Sequence, residues 1–314
     1  SLSGFLLKLI QTNRKVYFKG LNMFILRQIN SRINTAHISM SFICLMLFCT
    51  IGILSTGMGI NTALNKSYEN AAPYDVSFWI DKDVNIREKI AEYGFNLDEY
   101  IGEYVEFKTY QYMKEPIAKG LIFKKVEEHV PDNVRNYLMD APMYLLKVSD
   151  YNKLLKLQDK GQIKLSDNQV AIFSDYAEDY PELKACLLEY IDMKYPVTIS
   201  GTDYSVYPKL LTNGVKTSTS SNIMLALVVP DDMVEGSLVN QTILSFNCKG
   251  DRKKTQLKLE NDIYAFVDQQ EETEDMYKFS LATAELVKSV ATGTKAIVTF
   301  VGIYVGLIFL ITSA

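Results

Sequence analysis

The sequence predicts a membrane protein in which transmembrane α-helices flank a large α+β extracytoplasmic domain. Residues 38–60 and 296–314 are mainly apolar stretches of 23 and 19 residues, and neither contains Asp, Glu, Lys or Arg. A helix that crosses a bilayer needs ~20 predominantly apolar residues. The polar residues 61–295 lie between these two stretches, so we expect a span, a domain and a second, truncated span.

The distribution of charge predicts an orientation. Residues 1–37 carry six Lys/Arg and no acid, whereas residues 61–295 carry 27 Lys/Arg and all 37 acids, a net charge of −10. Short basic flanks of membrane helices stay in the cytoplasm. We therefore predict a multi-pass protein of the cell membrane, with residues 1–37 in the cytoplasm and residues 61–295 outside the cell.

The chain starts with Ser and ends inside an apolar run. We interpret it as an internal fragment of a longer membrane protein, in which residues 1–10 are the tail of a preceding span. A signal peptide is the alternative for residues 38–60. That alternative is disfavoured because the apolar region is too long and lacks a small-residue cleavage site.

The basic segment contains an amphipathic pattern over residues 16–33. Five apolar residues recur there at helical spacing and share one face: Phe18, Leu21, Ile25, Ile29 and Ile33. Such a helix fits the inner membrane interface, a cytoplasmic partner or a plain juxtamembrane anchor, and periodicity does not decide among them.

The middle of the chain alternates between strand and helix patterns. "PYDVSFWI", "YIGEYVEFKTYQYM", "NQVAIFS" and "SNIMLALVV" are typical of strands, and "YPVTIS" with "DYSVYPKLL" predicts a pair of strands around Gly201. "VNIREKIAEYG" predicts a helix ending at Gly94, and "PELKACLLEY" one with Pro181 in its first turn. A further helix is predicted from Ser149–Asp150 to Gly161, and a long one from about Glu271 into the second span.

Motifs for covalent chemistry are absent from the sequence. There is no G-x-x-x-x-G-K-[ST], G-x-S-x-G or H-E-x-x-H pattern, so we expect a chain that is not an enzyme and holds no cofactor. The only histidines are His37 and His129, too few to suggest a metal site. The acidic middle disfavours nucleic-acid binding. Cys186 and Cys248 are either a disulfide pair or two buried thiols.

Small residues recur at helical spacing in both apolar stretches. Gly302 and Gly306 form G-x-x-x-G, and Ser55 and Gly59 have the same spacing. Small residues four apart let helix backbones approach closely. We therefore expect Gly302 and Gly306 to mark a helix-packing surface.

Four segments resemble the permease subunits of FtsX/MacB-like ABC transporters, in the Gram-positive branch of the bacitracin-export type. They are "GLNMFILRQINSRINT" (20–35), "PYDVSFWI" (73–80), "VSDYNKLLKLQDKGQIKLSDNQVAIF" (148–173) and "LALVVPDDMV" (225–234). The resemblance covers nearly the whole chain and rests on structural rather than catalytic residues.

The resemblance implies a function and partners. It implies a non-catalytic permease or mechanotransmission subunit that couples ATP hydrolysis in a separate ATPase chain to the extracytoplasmic domain. The expected role is export of, or resistance to, antimicrobial peptides or lipid-linked substrates. Phe24 and Arg27 would contact the ATPase, and the other partners are the lipid bilayer and a second permease copy or a sensor kinase.

Two other function classes remain at this point. A two-span membrane receptor with an extracytoplasmic ligand-sensing domain has the same arrangement of spans and domain. A membrane-anchored extracellular enzyme would need a nucleophile or metal site, which the sequence does not suggest.

Overall fold

The structure is a computed structural model that describes residues 21, 24–25, 28, 40–49, 51–52, 55, 71–111, 143–178, 180–199, 201–218, 223, 225–269 and 279–313. The chain divides into two compact units. One comprises residues 64–293, and the other comprises residues 1–63 together with residues 294–314.

The predicted transmembrane helices are not supported. Among the residues that the structure describes, no helix is both long enough and apolar enough to cross a membrane. The predicted membrane-protein fold class, the transmembrane description and the multi-pass cell-membrane localisation are therefore wrong.

The larger unit is built on a nine-stranded sheet. In space the strands follow the order β5-β6-β4-β7-β3-β2-β8-β1-β9. Their bounds are β1 Val76–Ile80, β2 Ile101–Gln111, β3 Tyr144–Lys147, β4 Gln169–Phe173, β5 Val197–Ile199, β6 Thr202–Val206, β7 Ala226–Val229, β8 Leu238–Cys248 and β9 Ser280–Thr283.

The sheet is mixed, which corrects the predicted α+β class to α/β. β3 pairs with β7 and β4 pairs with β6 in parallel, whereas the other neighbouring pairs are antiparallel. Parallel pairs need long crossover connections, usually through helices. The alternating strand and helix patterns are therefore parts of one layered sheet and not of separate α and β regions.

After β1, the described residues contain five α-helices and two 3₁₀ helices. They are α1 Ile86–Glu92, α2 Val148–Leu157, α3 Pro181–Asp192, α4 Arg252–Gln269 and α5 Ala284–Ser313, with 3₁₀ turns at Leu97–Glu99 and Asp231–Val234. α2 packs on one face of the sheet with Tyr151, Leu154 and Leu155. α3 packs on the opposite face, in a cluster with Val170 and Ile172 of β4.

A third apolar cluster covers the other half of the sheet. There α1 and α4 pack on β1 and β8, and the rings of Phe78 and Phe246 stack with centroids 6.3 Å apart. Leu244 belongs to this cluster, and Leu145 belongs to the α3 cluster. Each leucine lies opposite a residue of β2, and these two β2 residues point to the same face of the sheet, so both leucines lie on that face. One face of the sheet therefore carries two separate apolar clusters.

Several predicted element boundaries are confirmed. α1 ends just before Gly94, which adopts φ +94° and donates its N–H to Ala91 O at 2.9 Å. Glycine is favoured there because the left-handed conformation is strained for other residues. α3 begins at Pro181, and β5 and β6 form the predicted antiparallel pair around Gly201.

The start and end of α2 differ from the prediction. The helix begins at Val148, and its first turn is capped by Asp231, whose carboxylate accepts from Ser149 N at 3.1 Å. It ends at Leu157 and not at Gly161, because Asp159 turns the backbone with φ +56°. The cap comes from a residue 82 positions away, so local sequence could not identify it.

The long helix predicted from Glu271 is interrupted. Residues 271–278 lie outside the described residues, and β9 precedes α5. β9 pairs antiparallel with β1, with Ala282 opposite Ser77. Tertiary pairing therefore selects a strand where the local pattern favoured a helix.

Cys186 and Cys248 do not form a disulfide. Both thiols are free and buried, one in the α3 cluster and the other in the α1–α4 cluster. Burial raises the pKa of the Cys186 thiol to about 11, which keeps it in the unreactive protonated form.

A buried carboxylate joins the start of β1 to the end of β8. Asp75 Oδ2 accepts from Cys248 N at 2.8 Å and from Arg252 Nε at 2.6 Å. Its Oδ1 accepts from Gln256 Nε2 at 3.0 Å. Three donors from two elements, β8 and α4, therefore converge on one side chain that is only 6% exposed.

The same cluster continues into the start of α5. Gln256 Oε1 accepts from Glu285 N at 3.0 Å, and the backbone carbonyl of Asp75 accepts from Ala284 N at 2.8 Å. Both contacts satisfy N–H groups that a helix start leaves without intrahelical partners.

We predict that Asp75→Ala lowers the free energy of unfolding by about 3 kcal/mol, because it leaves two buried donors, Cys248 N and Gln256 Nε2, without acceptors. Urea denaturation of the full chain measures this loss. Asp167→Ala is the matched control and should cost below ~1 kcal/mol, because this aspartate is exposed. Equal losses in the two variants would contradict the role assigned to Asp75.

Candidate functional site

A polar cleft lies over β2. Side chains of a strand alternate between the two faces of a sheet. On β2, Val105, Phe107 and Thr109 are buried, whereas the residues between them are half-buried or exposed. Those alternate residues form the floor of the cleft: Tyr104, Glu106, Lys108 and Tyr110.

The cleft lies between the two apolar clusters of that face. Glu106 lies opposite Leu244, which belongs to the cluster under α1 and α4. Tyr110 lies opposite Leu145, which belongs to the cluster under α3. β2 is therefore the place on this face where the packed layer changes from apolar to polar.

α1 and the 3₁₀ turn that follows it form one wall of the cleft. The guanidinium of Arg87 lies 4.4 Å from the ring centroid of Tyr104 and is paired with the carboxylate of Asp98. Arginine over a tyrosine face is a favourable cation–π contact. Arg87 Nε is buried and has no hydrogen-bond partner within the part of the chain that the structure describes.

Asparagine side chains shape the same wall. Asn85 Oδ1 accepts from Glu88 N at 3.1 Å and caps α1, and Asn96 Oδ1 accepts from Asp98 N at 3.1 Å. Each amide retains an NH₂ group that can donate hydrogen bonds. Asparagine is favoured at the residue that caps the start of a helix, so the local sequence explains why these two side chains lie in this wall.

The carboxyl group of Glu106 lies on the floor. It accepts from Ile86 N at 2.9 Å, which ties β2 to the start of α1. Burial raises the pKa of Glu106, and the backbone hydrogen bonds and the charges of Arg87 and Lys108 oppose that rise. The group is therefore protonated more readily than a carboxyl group in water.

Lysines complete the charged lining. Lys108 is paired with Asp83, and the Asp83 hydrogen bond raises the pKa of Lys108. Lys147, at the end of β3, places its Nζ 5.5 Å from the ring centroid of Tyr110. Asp150 lies at this end of the cleft and is paired with Lys153 at 2.8 Å.

The cleft has a volume of about 730 Å³. This volume suits a ligand, because binding sites for small molecules span roughly 300–1,000 Å³. Its lining combines hydrogen-bond donors, acceptors and two tyrosine rings. The arrangement can bind a polar ligand.

The described residues among the predicted contact sites are not part of the cleft lining. Phe24 is helical and 66% exposed, and Arg27 lies outside the described residues. Gly302 and Gly306 occupy α5, where Gly306 is buried and Gly302 is half-buried. The predicted roles of all four residues remain predictions.

The sequence analysis did not identify the cleft. The alternation along "YIGEYVEFKTYQYM" correctly predicted a half-buried strand, β2. The signal that could have revealed the cleft is the composition of the polar face of this strand, where two tyrosines flank a glutamate and a lysine. What covers that face depends on where α1 and α3 pack, and periodicity does not report this.

Metal ligands and related proteins give no further assignment. Within the described residues, no three His, Cys, Asp or Glu side chains lie together so that they could hold a metal ion. No protein-family model matches the chain, and no curated protein matches it in sequence.

A buried lysine lies on the opposite face of the sheet from the cleft. Lys216 is 6% exposed, donates to Gln241 Oε1 at 2.8 Å, and lies 4.4 Å from the ring centroid of Trp79. Burial lowers the pKa of Lys216 to about 8, and the negative charges of Asp175 and Asp81 oppose the shift. Its charge at neutral pH therefore destabilises the folded state.

Lys216 makes the stability of the fold depend on pH. Its pKa falls from 10.5 to about 8 on folding, so between these values the unfolded chain binds more protons and stability rises with pH. We predict that Lys216→Met removes this rise. The difference in free energy of unfolding between the variant and the wild type should therefore be about 3 kcal/mol less in the variant's favour at pH 10.5 than at pH 7.

Urea denaturation at several pH values measures this effect. Lys209→Met, at an exposed position, is the control for loss of a lysine charge at the surface. An effect of Lys216→Met that is the same at every pH would contradict the prediction.

Proposed function

We propose that this chain is a non-catalytic subunit of an ABC-transporter-type or mechanotransmission complex. Its α/β unit binds a ligand, and a separate ATPase chain binds and hydrolyses ATP. The expected ligands are antimicrobial peptides or lipid-linked substrates, in keeping with the family that the sequence resembles.

The observation that carries the proposal is the placement of the segments on which the resemblance rests. Residues 148–173 form α2, a loop and β4, and residues 225–234 contain β7 and the turn after it. β4 pairs antiparallel with β7, and Asp231 caps α2. These distant stretches therefore make one packed unit, as expected if the resemblance reflects a shared fold.

The loop inside this unit is held by paired hydrogen bonds. Asn152 Nδ2 donates to Ile163 O at 2.9 Å, and Ile163 N donates to Asn152 Oδ1 at 2.8 Å. The motif residues thus have structural roles. This supports a subunit whose function is binding and coupling rather than chemistry.

The buried acid Asp75 also has a structural role. It accepts three hydrogen bonds from β8 and α4. A catalytic acid or base needs access to a substrate. These contacts favour a non-catalytic subunit.

A ligand-sensing module of a receptor is the second candidate. The observation that favours it is the cleft over β2, which a sensor and a transporter subunit could both use. The two candidates differ in their partner, because a sensor acts through a signalling protein and the proposed subunit acts through an ATPase.

Co-purification tests the choice. This chain, tagged and produced together with the ATPase encoded beside its gene, should retain that ATPase through purification. The rate of ATP hydrolysis should differ between the complex and the free ATPase. If no such ATPase is encoded there, or if it does not bind, the proposal is wrong and the sensor candidate is favoured.

Phe24 and Arg27 are predicted to contact the ATPase. Replacing each with Ala should weaken ATPase binding about tenfold, because anchoring interface residues contribute at least ~1–2 kcal/mol. The affinity is measured on the purified complex, and circular dichroism should report an unchanged α/β unit. Tyr264→Ala is the control, since this α4 residue is 61% exposed and lies in the other compact unit. Unchanged affinity in both variants would remove these residues from the interface.

A further inference from the structure

We infer that the cleft over β2 binds an elongated, uncharged, polyhydroxylated chain, that is, an oligosaccharide. The inference rests on the proposed function in taking the cleft as the ligand site, and it adds the chemical class of the group that binds there. In a lipid-linked substrate that group is the glycan portion.

The charge of the lining argues against a strongly charged ligand. Three cations and four carboxylates line the cleft: Arg87, Lys108 and Lys147, and Glu88, Asp98, Glu106 and Asp150. Two of the cations are already paired, Arg87 with Asp98 and Lys108 with Asp83. Attraction of an anion or a cation needs a field of one sign, and a nearly balanced lining does not provide one.

Hydroxyl groups match the polar groups of the lining. The amides of Asn85 and Asn96 offer donors, because their oxygens already cap backbone N–H groups. Carboxylates such as Glu88 and Asp98 offer acceptors on the same wall. A hydroxyl group donates one hydrogen bond and accepts two, so a row of hydroxyl groups can satisfy both kinds of partner.

Tyr104 and Tyr110 supply ring surfaces. They lie six positions apart on one face of β2, a separation of ~20 Å along an extended strand. Tyr104 is 45% exposed even though the Arg87 guanidinium lies against its ring. Tyrosine combines an apolar ring with a hydroxyl group, which suits the mixed apolar and polar surface of a sugar ring.

The position of β2 argues against an extended peptide. Peptides that bind to sheets usually add a strand at a free edge. β2 has no free edge at Thr109–Gln111, because these residues pair with β3 on one side and with β8 on the other. An amphipathic helix would need an apolar groove, and most residues that line this cleft are charged or carry amides. At this end of the cleft, recognition must therefore use side chains on the face of the strand.

Titration of the full chain with neutral oligosaccharides tests the inference. The probes are cellohexaose, chitohexaose and maltohexaose, and their binding is measured by isothermal titration calorimetry. We expect at least one of them to bind with an affinity that changes little between ~0.05 M and ~0.5 M salt, because screening weakens only charge–charge attraction. Hexaglutamate and hexalysine are the charged comparison probes.

Variants locate the binding site. Tyr104→Ala and Tyr110→Ala should each weaken oligosaccharide binding about tenfold through loss of a stacked ring. Tyr264→Ala, at an exposed tyrosine of α4 outside the cleft lining, should leave binding unchanged. Lys209→Gln, at an exposed position outside the cleft lining, is the control for loss of a lysine charge and should also leave binding unchanged.

Other outcomes overturn the inference. Failure of all three oligosaccharides to bind would do so, as would preferential binding of either charged peptide. Binding that survives both tyrosine changes would place the oligosaccharide elsewhere. These results are independent of ATPase co-purification, so failure of the inference and failure of the proposed function can be told apart.

Discussion

The fold depends on the pairing of β8 along both of its edges. This eleven-residue strand pairs antiparallel with β1 on one side and with β2 on the other, and its central residues Thr242 to Phe246 are all fully buried. Because successive side chains point to opposite faces, β8 contributes to both packed layers. Leu244 and Phe246 lie under α1 and α4, whereas Ile243 joins the cluster under α2.

The cleft exists because the helices on this face of the sheet leave β2 only partly covered. α1 and α4 cover the side of β1 and β8, and α3 covers the side of β4 and β7. β2 lies between these clusters, so one of its faces remains only partly covered. A half-exposed strand face carries polar residues at little cost, because water satisfies their hydrogen bonds. Tyr104, Glu106, Lys108 and Tyr110 meet this condition and at the same time create a surface that can bind a ligand.

Buried polar groups determine how the parts of this unit fit together. Asp75, the residue before β1, is hydrogen-bonded to the end of β8 and to Gln256 of α4. Gln256 in turn accepts from the start of α5. On the opposite face from the cleft, Ser77 Oγ and Ser245 Oγ lie 2.8 Å apart across the β1–β8 pair, and Thr217 N donates to Ser77 Oγ at 2.8 Å. Such groups are costly when they are left unpaired, so each favours the one register in which all partners meet.

Much of the local structure was determined by the sequence itself. Strand-like residue content located β1 and β4, the alternation of apolar and polar residues located β2, and Gly94 and Pro181 marked helix boundaries, because these signals depend only on neighbouring residues. The tertiary structure decided what local patterns cannot report. β9 is a strand because β1 offers it a partner, α2 is capped by the distant Asp231, and the alternating elements join one mixed sheet. The predicted membrane spans failed because a charge-free apolar stretch reports composition alone, and no described helix meets the length and apolarity that a crossing requires. The cleft was likewise beyond the sequence, because its floor is local to β2 but its walls come from helices that pack there only in the complete fold.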